Sequence, residues 1–227
     1  MTNPVLDLRD CGLGNTLIMS AGYIQEHGPP LRILPPAPPH VFPLSPDAVT
    51  IEIGTEEEVD PTLGARYCSL HALTNPRVQD TMAALTAHLA RPHVPKPAVG
   101  FSFRTARAFP PEPPFMNMEA IRKMAQMARQ AADDPRVRTV VICANDYDHP
   151  VLNGLRRDVA CMVSGDAVRQ WCLLRECEVV VHGVGSPEDG SITSTFAPTA
   201  AAAATPPARL VGVSNDGRVW AGTEYHW

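Results

Sequence analysis

The second half of the chain alternates apolar runs of strand length with amphipathic stretches of helix length. The clearest helix pattern, over residues 117–134, places Ile121, Met124 and Ala128 on one face and stops before Pro135. Strands that alternate with helices of this length form parallel βαβ crossovers. The predicted strands are 97–103, 137–144, 159–163, 177–183 and 208–214. The pattern therefore predicts an α/β fold with a Rossmann-like, doubly wound parallel sheet.

The first half predicts a shorter α/β part that is interrupted by prolines. Of the 24 prolines in the 227 residues, many fall in the segment 28–46. Because each proline removes a backbone donor, we expect an extended surface segment there and neither a helix nor a central strand. A helix is predicted after Asn75 as N-cap, with Pro76 at its first position. The predicted domains are an N-terminal, acceptor-side part over 1–95 and a nucleotide-sugar-binding part over 96–227.

Composition excludes several classes of protein. The formal net charge of −5, with no cluster of Lys and Arg, argues against a nucleic-acid partner. The six cysteines form no CxxC pair, which indicates reduced thiols and no zinc site. No signal pattern and no run of membrane-spanning length is present, so a cytoplasmic location without a membrane span is predicted.

Polar loops follow the predicted strands after Arg9, Phe103, Ala144 and His182. Ligands of parallel sheets bind beyond the carboxyl ends of the strands, so we expect these loops along one edge. In the first loop, the run from Gly12 through Gly14 to Asn15 carries two glycines of a dinucleotide fingerprint and lacks the third. The alternative is a turn that joins a strand to a helix, with Asn15 as the helix cap.

The other three loops each leave two interpretations open. Arg104 and Arg107 are suited to a fork contact with phosphate or form a solvated pair at a strand end. Asp146 and Asp148 form a D-x-D that suits a divalent metal, although Asp148 is also placed to cap the next helix. The loop of small and hydroxylated residues before a helix predicted from Pro198 is either a phosphate site or a flexible connection.

In order, these motifs resemble those of the α-1,2-fucosyltransferase family. "GLGNT" at 12–16 is similar to the family's "GLGNQ" turn, and "SFRTAR" at 102–107 lies where the family has "HxRRGD". "ANDYD" at 144–148 resembles the acidic "SDD" turn, and "STF" at 194–196 resembles the "SSF" of "NSSFSWW". The chain departs from the family at Ser102, Thr105 and Arg107, and it lacks the tryptophans after "SSFS". The resemblance implies a GT-B fold and transfer from a GDP-sugar to a glycan or other hydroxyl acceptor, with no metal or cofactor.

The resemblance also implies roles for particular residues. Arg104 would contact the β-phosphate and Asp146 the guanine base. Ser194 and Thr195 would bind diphosphate oxygens at a helix start. Gly12 and Gly14, with Asn15 in the same turn, would border the acceptor cleft.

Three hypotheses follow from the sequence. The first is a GT-B sugar transferase, the second a non-catalytic binding or structural descendant of that fold, and the third a metal-dependent D-x-D transferase of the GT-A type. A general base for the acceptor hydroxyl is needed in the first hypothesis. The residues that qualify are His27, His182, Asp7 and Glu26, and the sequence does not decide among them.

Overall fold

A computed structural model describes residues 3–35, 44–45, 47–105, 116–185 and 193–221. The chain divides into two compact units, Met1–Ala90 and Arg91–Trp227, each built on its own sheet. Both sheets are parallel except for one edge strand, so the predicted α/β class is confirmed. Among the described residues, no helix is both long and apolar enough to cross a membrane.

The first unit holds a three-stranded parallel sheet with the order β1-β2-β3. Its elements are β1 Leu6–Asp7, α1 Leu13–His27, β2 Leu31–Leu34, β3 Ile51–Ile53, α2 Thr62–Tyr67 and α3 Pro76–Leu85. The predicted start of α3 is confirmed, because the Asn75 side chain accepts a hydrogen bond from the Arg77 amide and Pro76 takes the first helical position. Helix α1 packs against both α2 and α3.

The prediction that segment 28–46 contains no central strand is wrong. Strand β2 lies inside this segment and pairs with β1 on one side and β3 on the other. Its four residues fall between Pro30 and Pro35, and none of them is a proline. All four backbone amides are therefore present as donors, and the prolines only bound the strand. The prediction weighed the composition of the whole segment and missed this interval.

The second unit holds a six-stranded sheet with the order β6-β5-β4-β7-β8-β9. Its strands are β4 Ala98–Phe103, β5 Thr139–Ala144, β6 Cys161–Val163, β7 Val179–Val184, β8 Arg209–Ser214 and β9 Val219–Ala221. Its helices are α4 Met118–Asp133, α5 Pro150–Asp158, α6 Ala167–Arg175 and α7 Phe196–Ala202. From β4 the chain builds outward in one direction through β5 and β6 and then in the other from β7. The sheet therefore has a topological switch point between β4 and β7, the place where doubly wound sheets bind ligands.

Helices cover the second sheet on both faces. Phe101 and Phe103 pack with α4 in one apolar cluster. On the opposite face, a Cβ built at Gly100 would lie 2.7 Å from Leu174 Cδ2 and 3.0 Å from Cys177 Sγ, so α6 and the turn after it approach the strand backbone closely. All six residues of β5 are buried, as expected for a strand covered on both faces.

Two details of the second unit differ from the sequence prediction. Helix α7 begins at Phe196 and not at Pro198. Proline is tolerated there because the first four amides of a helix have no acceptor within the helix. Strand β9 was not predicted: it is short and antiparallel to β8, and its Val219 and Trp220 are exposed, so it lacks the apolar run that marks a buried strand.

Candidate functional site

The polar loops of the second unit meet at one edge of its sheet. In the register of the parallel strands, Phe103 lies opposite Ala144, and Ser102 lies opposite His182. The chain therefore leaves β4, β5 and β7 at neighbouring points on both sides of the switch point. We call the residues after these strand ends the carboxyl edge: 104–105, 145–148, 185 and 193–195.

The loops after β4 and β5 are hydrogen-bonded to each other. The Thr105 amide donates to Asn145 Oδ1 at 2.9 Å, and the Thr105 hydroxyl donates to the Asp146 carbonyl oxygen at 3.2 Å. The half-buried Arg104 stands at this junction, and its backbone amide donates to Met116 Sδ at 3.4 Å. Thr105 thus joins the two loops at the position where the resembled family has its second arginine. Neither Asn145 nor Thr105 was predicted to have a role, because a bond between two loops has no local signature in the sequence.

The two aspartates of the D-x-D differ in surroundings. Asp146 Oδ1 accepts a hydrogen bond from the Asp148 amide at 2.9 Å, which closes a local turn. The prediction that Asp148 caps helix α5 is wrong, because the N-cap is His149 and no side chain caps this helix. The exposed Asp148 lies one residue too early for the capping position. Within the described ranges, no group of three or more His, Cys, Asp or Glu side chains is arranged to hold a metal ion.

A half-buried tyrosine and a buried glutamine support the loop after β5. The Tyr147 hydroxyl lies 3.0 Å from the Ile142 carbonyl oxygen and 2.9 Å from that of Ser164, and it accepts from the Ala144 amide at 3.3 Å. Burial raises the pKa of Tyr147 to about 12, so the phenol stays protonated and donates. Gln170 Nε2 donates to the carbonyl oxygens of Ala144 and Ser164 at 3.0 and 2.6 Å. These bonds fix the ends of β5 and β6 beneath the loop that carries Asp146.

Two hydroxylated residues after β7, Thr193 and Ser194, accept hydrogen bonds from nearby backbone amides. Thr193 Oγ1 accepts from the Gly185 amide at 3.0 Å, which holds the returning chain against the end of β7. Ser194 is buried, and its Oγ accepts from the Phe196 amide at 3.4 Å. Thr195 is the N-cap of α7, but no side chain caps this seven-residue helix. The remainder of this loop, residues 186–192, and Arg107 lie outside the described residues.

Two asparagines of the same unit, Asn117 and Asn215, are hydrogen-bonded to each other near the end of β8. The Asn117 amide donates to Asn215 Oδ1 at 2.9 Å, and Asn117 Nδ2 donates to the Asn215 carbonyl oxygen at 2.8 Å. Asn117 is also the cap of α4, because its Oδ1 accepts from the Ala120 amide. The pair joins the start of α4 to the turn after β8. The sequence placed Asn117 at a helix start but gave no sign of its partner 98 residues away.

The opening glycine turn belongs to the first unit, where it connects β1 to α1. The prediction that Asn15 caps the helix is wrong: α1 begins at Leu13, Gly12 is the N-cap with extended φ and ψ, and no side chain caps the helix. Gly14 is buried inside the first turn, and Asn15 follows it in the same turn. A Cβ built at Gly12 would meet no atom of the described residues within 4 Å, so the space beside this exposed residue is open. The acceptor role of the turn stays a prediction.

Three of the four candidate general bases are poorly placed to take a proton from an acceptor hydroxyl near that turn. Glu26 and His27 lie at the last turn of α1, and fifteen residues of helix place them about 20 Å from Gly12. There they share the Tyr67 hydroxyl, which lies 3.0 Å from Glu26 Oε2 and 3.0 Å from His27 Nε2. His182 is 1% exposed, and burial lowers its pKa to about 4. It is therefore neutral at pH 7 but is enclosed by the core.

Asp7 is the candidate base that lies near the opening turn. It ends β1, and its carboxylate pairs with Arg9, whose Nη2 lies 2.8 Å from Asp7 Oδ2. The hydrogen bond from the Arg9 side chain lowers the pKa of Asp7 below its ordinary value. A lowered pKa weakens a carboxylate as a proton acceptor, so this arrangement disfavours Asp7 as a general base.

Comparisons of the chain with family models, with curated proteins and with solved structures find no match. The strand order and the residues of the carboxyl edge are therefore the features that bear on function. Of the residues predicted to bind the donor, Arg104, Asp146, Ser194 and Thr195 all belong to this edge of one sheet.

Proposed function

We propose that the protein is a metal-independent glycosyltransferase of the GT-B class that binds a nucleotide diphosphate sugar at the carboxyl edge of its second unit. The donor is a GDP-sugar, with fucose as the sugar that the resemblance favours, and the acceptor is a hydroxyl of a glycan or similar molecule. One observation carries the proposal: the loops after β4 and β5 are hydrogen-bonded to each other next to the switch point between β4 and β7, at Arg104 and Asp146. This is where doubly wound sheets receive nucleotides.

Arg104 has the leading role in this proposal. Departure of a sugar from a nucleotide diphosphate leaves negative charge on the phosphates, and a fixed cation stabilises that charge without a proton transfer. A guanidinium makes two parallel bonds to phosphate oxygens, a geometry that lysine does not reproduce. The bond from Thr105 to Asn145 supports this role because it fixes the backbone next to Arg104.

Asp146 recognises the base of the donor in this proposal. Guanine presents two neighbouring N–H donors, and an ionised carboxylate is an acceptor for such groups. The Asp148 amide uses one lone pair of Asp146 Oδ1 and orients the carboxylate. Ser194 and Thr195 would reach phosphate oxygens through the hydroxyl and backbone groups beside the end of β7.

Calorimetric titration of the full chain with GDP, UDP and ADP, in the presence and absence of EDTA, tests the proposal. We expect GDP to bind in EDTA, and we expect Arg104→Ala to weaken binding at least tenfold, since bonds to charged groups contribute about 1.5–3 kcal/mol each. The matched control is Arg138→Ala, which removes an exposed arginine just before β5, at the opposite end of the strands.

Other outcomes of the titration favour the other two hypotheses. Binding that EDTA abolishes, and that Asp146→Asn and Asp148→Asn also abolish, would assign the chain to the metal-dependent GT-A type. No binding of any nucleotide would favour a non-catalytic descendant of the fold. Equal weakening by Arg104→Ala and Arg138→Ala would contradict the assigned role of Arg104.

A further inference from the structure

A cavity lies at the amino edge of the second sheet, where its strands begin. It encloses about 300 Å³ and is lined by Arg91 and Lys96 before β4, by the connection from α6 to β7, and by the connection from α7 to β8. Its volume is at the lower end of the range for small-molecule sites. The predicted donor residues lie after the strands, at the carboxyl edge, and none of them lines this cavity.

The lining of this cavity has an excess of positive charge. Four cationic side chains, Arg91, Lys96, Arg175 and Arg209, border it together with two carboxylates, Glu176 and Glu178. The remainder of its wall, Cys177 and residues 203–208, consists of small or apolar residues. A concave surface with this balance attracts anions.

One of the two carboxylates is already committed to structural contacts. Glu178 Oε1 lies 3.3 Å from Lys96 Nζ, and Glu178 Oε2 accepts a hydrogen bond from the Ala98 amide at 2.7 Å. Lys96 and Glu178 therefore balance each other at the start of β4. Glu176 is then the only carboxylate of the lining that remains to offset Arg91, Arg175 and Arg209.

Arg175 is the fixed element of the site. It is 5% exposed although it borders the cavity, and its guanidinium carbon lies 5.3 Å from the centre of the Trp171 ring. Its Nε lies 3.7 Å from Glu176 Oε1, which is long for a charge-assisted bond. A charge in such a position interacts with an anion more strongly than an exposed charge does, because the surrounding dielectric constant is lower.

We propose that this cavity binds a small phosphorylated anion, independently of the donor site. Guanidinium groups match phosphate oxygens in geometry, and three arginines against the one uncommitted carboxylate, Glu176, leave the lining positively charged. A volume of about 300 Å³ accommodates a phosphate or diphosphate group with a small substituent. The protein would then bind two ligands, the donor at the carboxyl edge of the second sheet and the anion at the amino edge.

Calorimetric titration with inorganic pyrophosphate, in EDTA and at constant ionic strength, tests this inference. All variants carry Arg104→Ala, so that the proposed donor site contributes little to the signal. We expect Arg91→Gln with Arg209→Gln to weaken pyrophosphate binding at least tenfold. The control, Arg122→Gln with Arg138→Gln, removes the same charge from exposed positions outside the cavity and should keep the parental affinity.

A variant of opposite sign separates a specific site from lost folding. Glu176→Gln removes the carboxylate that competes for Arg175, so we expect it to tighten pyrophosphate binding several-fold. Damage to the fold would weaken binding in every variant and would not produce this gain. The inference is overturned if pyrophosphate does not bind, if both double variants lose the same affinity, or if Glu176→Gln binds no better than its parent.

Discussion

Two interior strands, β5 of the second sheet and β2 of the first, differ in what surrounds them. In the second unit, all six residues of β5 are buried between helices on both faces. In the first unit, the central strand β2 has four residues and includes Arg32, and its neighbour β3 leaves Ile53 66% exposed. The second sheet is therefore stabilised mainly by apolar burial, at about 1.5–3 kcal/mol for each large side chain.

Ion pairs of Arg32 and Arg9 join the first sheet to the rest of its unit. Arg32 donates to the Asn3 carbonyl oxygen and pairs with Glu58, whose Oε1 lies 2.7 Å from Arg32 Nη2. Arg9 likewise links Asp7, at the end of β1, to Glu56 after β3. Exposed pairs of this kind contribute little each. The difference indicates that truncating an exposed residue of the edge strand β3 costs the first unit far less than truncating a buried residue of β5 costs the second.

The largest expected effect is that of Ile142→Ala in β5. Ile142 is fully buried and pairs with Phe101 on one side and Val163 on the other, so its truncation leaves a cavity. We expect the free energy of unfolding of the second unit to fall by about 2–5 kcal/mol. Urea unfolding followed by tryptophan emission measures this, since Trp171, Trp220 and Trp227 all belong to the second unit. A loss below about 1 kcal/mol would show that β5 is not the centre of this core.

The next effect is a dependence on pH that is specific to the second unit. The pKa of the buried His182 is lowered to about 4, against about 6.5 in the unfolded chain. The unfolded state therefore binds the extra proton between these values, and stability falls as the pH drops from about 6.5 to about 4. The expected loss is about 3 kcal/mol, measured by urea unfolding across this range. His182→Gln should flatten the curve, and an unchanged slope would contradict the assignment to His182.

The ion pairs of the first unit should respond at lower pH. The Arg9 side chain lowers the pKa of Asp7, and the Arg32 side chain lowers that of Glu58. Stability from these carboxylates is present above their unfolded pKa values and is lost as the pH falls through their lowered folded values. Protection factors of the first-unit amides, corrected for the intrinsic dependence of exchange on pH, should therefore hold between pH 6.5 and 4.5 and fall only below that range. Loss of protection in step with the second unit would remove the distinction.

A smaller effect is expected for Tyr23→Phe in the first unit. Tyr23 is fully buried, and its hydroxyl donates to the Pro4 carbonyl oxygen at 2.7 Å. Its removal should cost about 1 kcal/mol, measured as faster amide exchange in α1. The matched control is Tyr67→Phe, whose hydroxyl partners Glu26 and His27 are partly exposed and can be hydrated. Equal effects of the two substitutions would contradict the role given to the Pro4 contact.

The smallest effect is that of Ile53→Ala in β3, which makes the same substitution as Ile142→Ala. Because Ile53 is 66% exposed, little apolar surface returns to water on truncation. We expect a change within about 0.5 kcal/mol, measured by amide exchange in the first unit. A loss comparable to that of Ile142→Ala would mean that a surface covers Ile53 in solution.

Sequence patterns predicted the elements of the second unit because those elements carry their signals locally. Buried strands such as β5 are continuous apolar runs, and α4 has a capping asparagine and an apolar face. Strand β2 escaped prediction because proline composition was averaged over a segment in which Leu31–Leu34 contains none. Strand β9 escaped because an exposed edge strand need not be apolar.

The candidate site was predictable only in part. The sequence predicted that Arg104 and Asp146 lie at the same edge of the sheet, because each follows a buried strand and parallel strands share one carboxyl edge. The hydrogen bonds that hold these loops in place were not predictable. The bonds from Thr105 to Asn145 and from Asn117 to Asn215 join residues that are 40 and 98 positions apart in the chain. Such pairs depend on how the strands align in the folded sheet, which a local sequence pattern does not indicate.

The order of apolar and polar residues along this chain was enough to indicate its parallel α/β class, since hydrophobic periodicity reflects burial directly. The suitability of each candidate base could be judged only from the tertiary structure. Helix length separates His27 from the turn at Gly12, the core encloses His182, and an arginine two residues away engages Asp7. The pKa and the reach of a side chain depend on desolvation and on neighbouring charges, and only folding brings these together.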